Sequence, residues 1–213
     1  MIGFRIGDLH VKKNNKNSKI VCINTNTTKL AQVNLIKEVF GCYGHFYTKN
    51  RNGVYDVTCL LDNSFSFLLH KQDKIEDWIL NDKTFFFSFL AGYTDAEGCI
   101  KINNGMASYR LGSYDKNLLK QAYKKLKGMD LHPNYNLETK KGEIFGGVRQ
   151  NGDFWRIGIY RKDALLKLFE FLGPYLKHSS RVEDLKVAKE NILERNRRKD
   201  ERKKANYERA PVY

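Results

Sequence analysis

FLAGYTDAEGCIKI, Phe89 to Ile102, places two carboxylates, Asp95 and Glu97, among small and apolar residues that otherwise read as a packing segment. The same order opens the chain. MIGFRIGDLH aligns with LAGYTDAEGC so that Gly3 falls on Gly92, Gly7 on Ala96 and Asp8 on Glu97, an offset of 89 residues from 8 to 97. A similar offset separates TTKLAQVNLIKEVF from YDKNLLKQAYKKLK, which makes the second half a repeat of the first.

Small residues at Gly3/Gly7 and Gly92/Ala96 let two helices meet at backbone distance, because nothing larger than a methyl stands between them. An acid follows the second small residue in each copy. Packed against each other, the helices bring Asp8 and Glu97 side by side at their C-terminal ends, where carboxylates repel one another and the helix ends are already negative. A hard divalent cation removes the conflict, since Mg²⁺ takes one or two protein carboxylates together with phosphate oxygens and water. Paired acids, a metal and a basic protein point to metal-assisted phosphodiester cleavage.

Outward from the two motifs, the pattern repeats. VKKNNKNSKIVCINTN reads as two strands around a basic, Asn-rich turn. TTKLAQVNLIKEVF has apolar residues at Leu30, Val33, Ile36 and Phe40, with Thr27 or Thr28 as N-cap and Gly41 as stop, which is amphipathic helix spacing. HFYTKNRNGVYDVTCLL is a hairpin turning at Asn52-Gly53, and DNSFSFLLHKQDKIEDWIL another helical stretch. After Glu97 come two strands around Asn104-Gly105, a helix stopped by Gly128, a longer strand-and-turn region, and the helix KDALLKLFEFLGPYL ended by Gly173-Pro174. Strand, strand, helix, strand, strand, helix thus occurs twice, with an insertion in the second copy. The expected division is residues 1–84, residues 85–180, and a basic segment 181–213 that starts as a helix through Leu185, Ala188 and Ile192 and continues as a solvated arm. Truncation after Ser180 is expected to change affinity and not the position of cleavage.

The totals agree with this division. A chain of 213 residues, 41% hydrophobic and 13% aromatic, buries a core as one domain or two small fused ones. A formal charge of +14 and a pI near 9.5 favour a polyanion partner. Cys22, Cys42, Cys59 and Cys99 form no CxxC pair and the five histidines no cluster with them, so neither a disulfide framework nor a zinc site is expected. The N-terminal acid and the absence of any long apolar run predict a soluble, intracellular protein without a membrane partner.

LAGYTDAEG, Leu90 to Gly98, resembles the signature of the LAGLIDADG homing endonucleases, with Glu97 in place of the second aspartate. Met1 to Leu9 is similar to a degenerate first copy, in which Leu9 replaces the closing glycine and Arg5-Ile6 departs from the usual residues. The resemblance covers about residues 1 to 178. It implies an α+β monomer of two pseudo-symmetric αββαββα repeats, with the motif helices at the interface and two antiparallel sheets forming a saddle over double-stranded DNA. It further implies catalytic and metal-binding roles for Asp8 and Glu97, Mg²⁺ as cofactor with Mn²⁺ as a substitute, and Ca²⁺ supporting binding without efficient cleavage. Cleavage of both strands of a long, pseudo-symmetric site with 3′ overhangs follows from the same likeness. Asp95 is then a helix-end or interface group. The basic residue that often accompanies each metal has no secure position: Asn24, Asn26 and Ser113 stand where it is expected, and Lys177 and His178 offer a basic pocket.

On strands that expose one face, alternate residues meet the DNA, where Arg and Lys read guanine and Asn and Gln read adenine. By strand or turn position these are Lys12, Lys13, Asn15, Lys19, Tyr47, Lys49, Arg51, Lys101, Asn103, Arg110, Lys140, Arg149, Gln150, Arg156 and Arg161. Phe46, Phe154 and Trp155 are expected between sheet and helix. Two other readings share some of these features: a maturase-like or cleavage-attenuated relative of the same fold that binds DNA or RNA, and a non-enzymatic basic RNA-binding module. The second accounts for the charge but not for the repeated acids.

Overall fold

The computed structural model describes residues 1–208. The first repeat runs α1 (Ile2–Asp8), β1 (His10–Lys13), β2 (Val21–Thr27), α2 (Leu30–Phe40), β3 (Gly44–Arg51), β4 (Val54–Leu61) and a short α3 (Asp77–Asn81). The second runs α4 (Lys83–Glu97), β5 (Gly98–Asn103), β6 (Met106–Ser113), α5 (Lys116–Gly128), β7 (Asn134–Thr139), the ribbon β8 (Ile144–Phe145) and β9 (Val148–Arg149), β10 (Phe154–Ile159) and α6 (Lys162–Leu172); α7 (Ser179–Glu208) follows. The two antiparallel sheets have matching orders, β1-β2-β4-β3 and β5-β6-β10-β7, and the β8–β9 ribbon is the insertion in the second copy. Both Asn-Gly pairs make hairpin turns with left-handed backbone at each central residue, Asn52 at φ 52° and Gly53 at 86°, Asn104 at 48° and Gly105 at 72°. That twist matches the strands they join.

Each sheet covers its own core. Val21, Ile23, Val57, Cys59 and Leu61 of the first pack on Val33, Ile36 and Phe40 of α2; Tyr109, Leu111, Ile157 and Ile159 of the second pack on α4, α5, α6 and α7. The motif helices α1 and α4 join the halves. A Cβ on Gly3 would lie 2.0 Å from the Phe89 carbonyl oxygen, and one on Gly7 would lie 2.3 Å from Ala96 Cβ, so the approach depends on the missing side chains. Arg5, in the degenerate stretch, is buried and donates to the carbonyls of Leu68 (2.9 Å) and Leu9 (2.6 Å), which tie the end of α1 to the chain leaving the first sheet.

Three local expectations are corrected. The stretch 62–80 is not one helix: a 3-10 helix, Asn63–Leu68, capped by Asp62 through Ser64 N–H (2.7 Å), leads through a loop to α3, because Phe65, Leu68, Ile75 and Ile79 are pulled into different cores. Neither Thr27 nor Thr28 caps α2; Lys29 holds the N-cap position, and Thr27 Oγ1 accepts from the Lys29 N–H (3.1 Å). The segment after residue 180 does not lose its order after the apolar stripe: α7 runs 30 residues, with Ala188 and Ile192 wholly buried in the second core and Glu194–Arg197, Glu194–Arg198 and Arg197–Glu201 pairs supporting the turns beyond. Residues 209–213 lie outside the described residues.

Candidate active site

The packing of α1 on α4 delivers Asp8 and Glu97 together. A Cβ on Gly7, next to Asp8, would stand 3.2 Å from Glu97 Cγ. Gln32, buried at the start of α2, donates from Nε2 to Asp8 Oδ2 at 2.7 Å and fixes its carboxylate. Desolvation raises the pKa of Asp8, opposed by that hydrogen bond and by the charges of Lys29 and His178. Glu97 is pushed up to about 7, first by burial and then by the negative charge of Asp8, with Lys71 opposing and Asp115 adding to the rise. Two hard carboxylates whose repulsion is not neutralised form a donor set that suits a divalent cation completing its shell with phosphate and water. Among the described residues no group of three His, Cys, Asp or Glu is placed to hold a metal by protein ligands alone.

Around the pair, beside Asn26, Ser113 and His178, lie Lys29, Gln32, Arg181, Lys71 and Asp115, which the sequence did not single out. On the Asp8 side a cleft of 460 Å³ is lined by Asn26, Lys29, Gln32, His178 and Arg181. On the Glu97 side Asp115 accepts from Tyr93 Oη and Ser113 Oγ, each at 3.3 Å, and pairs with Lys71 at 3.4 Å. Lys29 sits just before α2 and Lys71 in the loop before α3, so neither has a periodicity to mark it. Of the positions expected to offer a basic residue, Asn24 accepts from Thr58 (3.1 Å), Asn26 lines the cleft and Ser113 is held by Asp115.

Asp95 points away from Glu97. Its carboxylate accepts the backbone N–H of Lys177 (3.0 Å) and His178 (3.2 Å), pinning the start of α7; burial pushes its pKa to about 6 against those bonds. The pocket expected from Lys177 and His178 is divided. His178 faces the Asp8 cleft with its pKa lowered by burial, whereas Lys177 Nζ pairs with Glu38 of α2 at 2.5 Å.

Strand pairing sorts the remaining candidates by face. In the first sheet Lys12 stands in register with Cys22, and Tyr47 and Lys49 with Thr58 and Asp56, on the face away from α2; Arg51 is on the same face, paired with Asp56 at 2.9 Å. Lys13 is corrected to the opposite side, in the row of Val21 and Leu61, because neighbours on a strand alternate. Asn15 and Lys19 lie in the exposed β1–β2 connection. In the second sheet Lys101, Asn103, Arg110 and Arg156 share the face away from the helices, Arg156 forming an ion pair with Glu138. Lys140, Arg149 and Gln150 belong to the β7–β10 excursion, where Gln150 accepts from Tyr114 Oη at 2.7 Å. Arg161 is corrected from strand to helix end: it precedes α6 and forks onto Asp163. Phe46 and Trp155 pack on the helix side, Trp155 stacked on Tyr135, but Phe154 does not: next to Trp155 on one strand it takes the opposite face, its ring over Gly112 on the open side and edge-on to Tyr114.

Residues 85–173 match the family model of the LAGLIDADG-like domain. An uncharacterized protein of Methanocaldococcus jannaschii is 30% identical over 121 residues, 55% of this chain and 42% of that protein, so the chain spans less than half the length of this relative. Among solved structures, I-DmoI in complex with DNA and Ca matches with a TM-score of 0.55 at 13% identity over 81% of this chain and 86% of that one. The I-SmaMI LAGLIDADG homing endonuclease bound to cleaved DNA matches at 0.54 and 12%, covering 92% and 89%. The homing endonuclease I-WcaI bound to its DNA recognition sequence matches at 0.52 and 19%, covering 85% and 83%. The fold of this chain is the LAGLIDADG homing endonuclease fold. No helix among the described residues is long and apolar enough to cross a membrane.

Proposed function

We infer that this two-repeat chain, whose residues 85–173 are a LAGLIDADG-like domain, is a site-specific endonuclease that makes a Mg²⁺-dependent double-strand break in a long DNA target and works as a monomer. The observation that carries the reading is the juxtaposition of Asp8 and Glu97 at the ends of two helices that meet backbone to backbone, close enough for the charge of one to raise the pKa of the other.

Asp8 and Glu97 would hold the cation, and the fit lies in their hard oxygens and their unrelieved repulsion. Bound there, a divalent ion would offset charge on the attacking and leaving oxygens of the phosphodiester. The chain's own residues do the rest. Gln32 orients Asp8, and Lys29 and Lys71 set positive charge on either side of the acid pair, where phosphate oxygens and water must come. The open faces of the two sheets take the major groove on each side, with Lys49, Lys101, Asn103 and Arg110 available for base edges. Related structures that carry DNA with Ca or Mn support a divalent ion in this role.

The test is Glu97→Gln against the wild type on a duplex selected from a random library. Loss of double-strand cleavage, by at least about a hundredfold, with binding in Ca²⁺ retained is the expected result. Persistent cutting removes Glu97 from the site, and wild-type binding without any Mg²⁺-dependent ends moves the chain to the maturase-like reading.

A further inference from the structure

The outer third of α7 leaves the core. Among the described residues Ile192 is its last wholly buried one, yet the helix continues, with acids and cations largely on different sides and Arg198 between them. On one side Glu194 accepts from Arg197 and Arg198 (2.9 and 2.7 Å) and Glu201 from Arg197 (3.1 Å). On the other, Arg195, Lys199 and Arg202 recur at i, i+4 and i+7, the spacing of one helix stripe. With Arg198 and Lys203 they line a groove of 450 Å³ whose far wall is Lys162, the first residue of α6, and among the described residues no carboxylate lines it. Lys162 Nζ is held there by Asn196 Oδ1 at 2.9 Å, and its pKa is lowered by desolvation and by the charges of Arg195 and Lys199. Asp200 and the Glu194–Arg198 pair relieve part of this repulsion, and an anion in the groove would relieve more.

The fold fixes where this groove points. In the β6–β10 pairing Trp155 lies opposite Ser113, which bonds Asp115 beside Glu97, while Ile159 lies opposite Tyr109 farther along. β10 therefore runs away from the acids, and α6 begins past Ile159, on the way toward the β5–β6 hairpin at the far end of the second sheet. α7 starts just after His178, which lines the Asp8 cleft, and its outer part meets the start of α6 where Asn196 holds Lys162. The first repeat has no counterpart, since its sheet is followed by the 3-10 helix Asn63–Leu68 and the five-residue α3.

We propose that the groove between the start of α6 and the outer third of α7 is a second phosphate-binding surface, which holds the sugar-phosphate backbone of the target duplex beyond the outer end of the second sheet and lengthens the footprint on that side alone. A cluster of six long cationic side chains outside the sheets, Arg198 paired with Glu194, neutralises phosphates wherever the backbone passes, so the contact is expected to depend little on sequence. The inference rests on the DNA-binding reading above.

The experiment uses the full chain in Ca²⁺ and a duplex selected from a random library, then extended or trimmed at either end. An iron chelate tethered at the exposed Cys42 marks the first-repeat side. Extension on the second-repeat side is expected to tighten wild-type binding about tenfold, and extension on the other side to leave it unchanged. The variant R195Q/K199Q/R202Q should lose that gain and lower the slope of log affinity against log salt by up to about 3, at roughly 0.9 per phosphate contact. R195K/R202K, which keeps the charge, should retain the gain, and the cut positions should not move in either variant. Equal gains on both sides, or an unchanged salt slope in the glutamine variant, would overturn the proposal, as would a loss confined to structured RNA. Wild-type failure to bind any duplex defeats the endonuclease reading itself, whereas binding to the trimmed duplex with no effect of extension defeats only the groove. Wild-type extension data decide the question even if the triple variant does not fold.

Discussion

At the residue scale the protein turns on Glu97, whose pKa of about 7 lies above its ordinary 4.5 because it is partly buried and faces Asp8. The folded chain therefore holds a proton that the unfolded chain has released between pH 4.5 and 7. The sign follows: the contribution of this group to stability is fully present below pH 4.5 and is lost as pH rises through 7. Glu97→Gln should accordingly melt about 2–4 °C above wild type at pH 8, the shift that 1 kcal/mol gives a chain of this size, and the gain should vanish near pH 4.5. Thermal melts across pH check this, and addition of Mg²⁺ at pH 8 should raise the wild type and not the variant. Cleavage by the wild type should fall as the pH drops below about 7, since a protonated Glu97 cannot hold a cation; a flat profile would detach Glu97 from the metal.

At the scale of elements the decisive contact is α1 against α4. Gly3 has no room for a methyl group, because the group it would meet is a backbone carbonyl at 2.0 Å and not a movable side chain. Gly3→Ala should cost about 3 kcal/mol or more and disturb the acid pair with it. Gly128, exposed at the end of α5 with nothing within 4 Å of an added Cβ, is the matched control, and Gly128→Ala should be neutral or stabilise by about 0.5–1 kcal/mol. Chemical denaturation of the two variants measures both. The hairpins were visible for a similar local reason, since Asn52-Gly53 and Asn104-Gly105 carry the left-handed backbone that a tight turn demands. The broken stretch 62–80 was not, because whether Phe65 and Ile79 enter one core or two is settled by the position of α4 and not by their spacing.

At the scale of the whole molecule α7 is part of the second core and not an appendage. Ala188 and Ile192 are buried against the second sheet and α6, and Asp95 of the motif helix holds the first turn. Ile192→Ala should cost about 2–5 kcal/mol by denaturation. Truncation after Ser180, read from the sequence as a change of affinity alone, should instead destabilise the second repeat, and a truncated chain with unchanged stability would contradict this packing.

The sequence by itself determined the repeat, the helix-closing acids, the small residues that let two helices touch, and most strands with their alternation. These are signals carried within a few residues or by an internal offset, and they survive without knowledge of the rest of the chain. Only the tertiary structure decided which groups converge on the acids. Lys29 and Gln32 at the start of α2, Lys71 and Asp115 come from three separate segments, and no local pattern states that they will meet. The same holds for Lys177, drawn off to Glu38, and for the cations that α7 and α6 gather on the far side of the second sheet. Periodicity fixes the face a residue takes on its own element; what stands opposite that face depends on how distant elements pack.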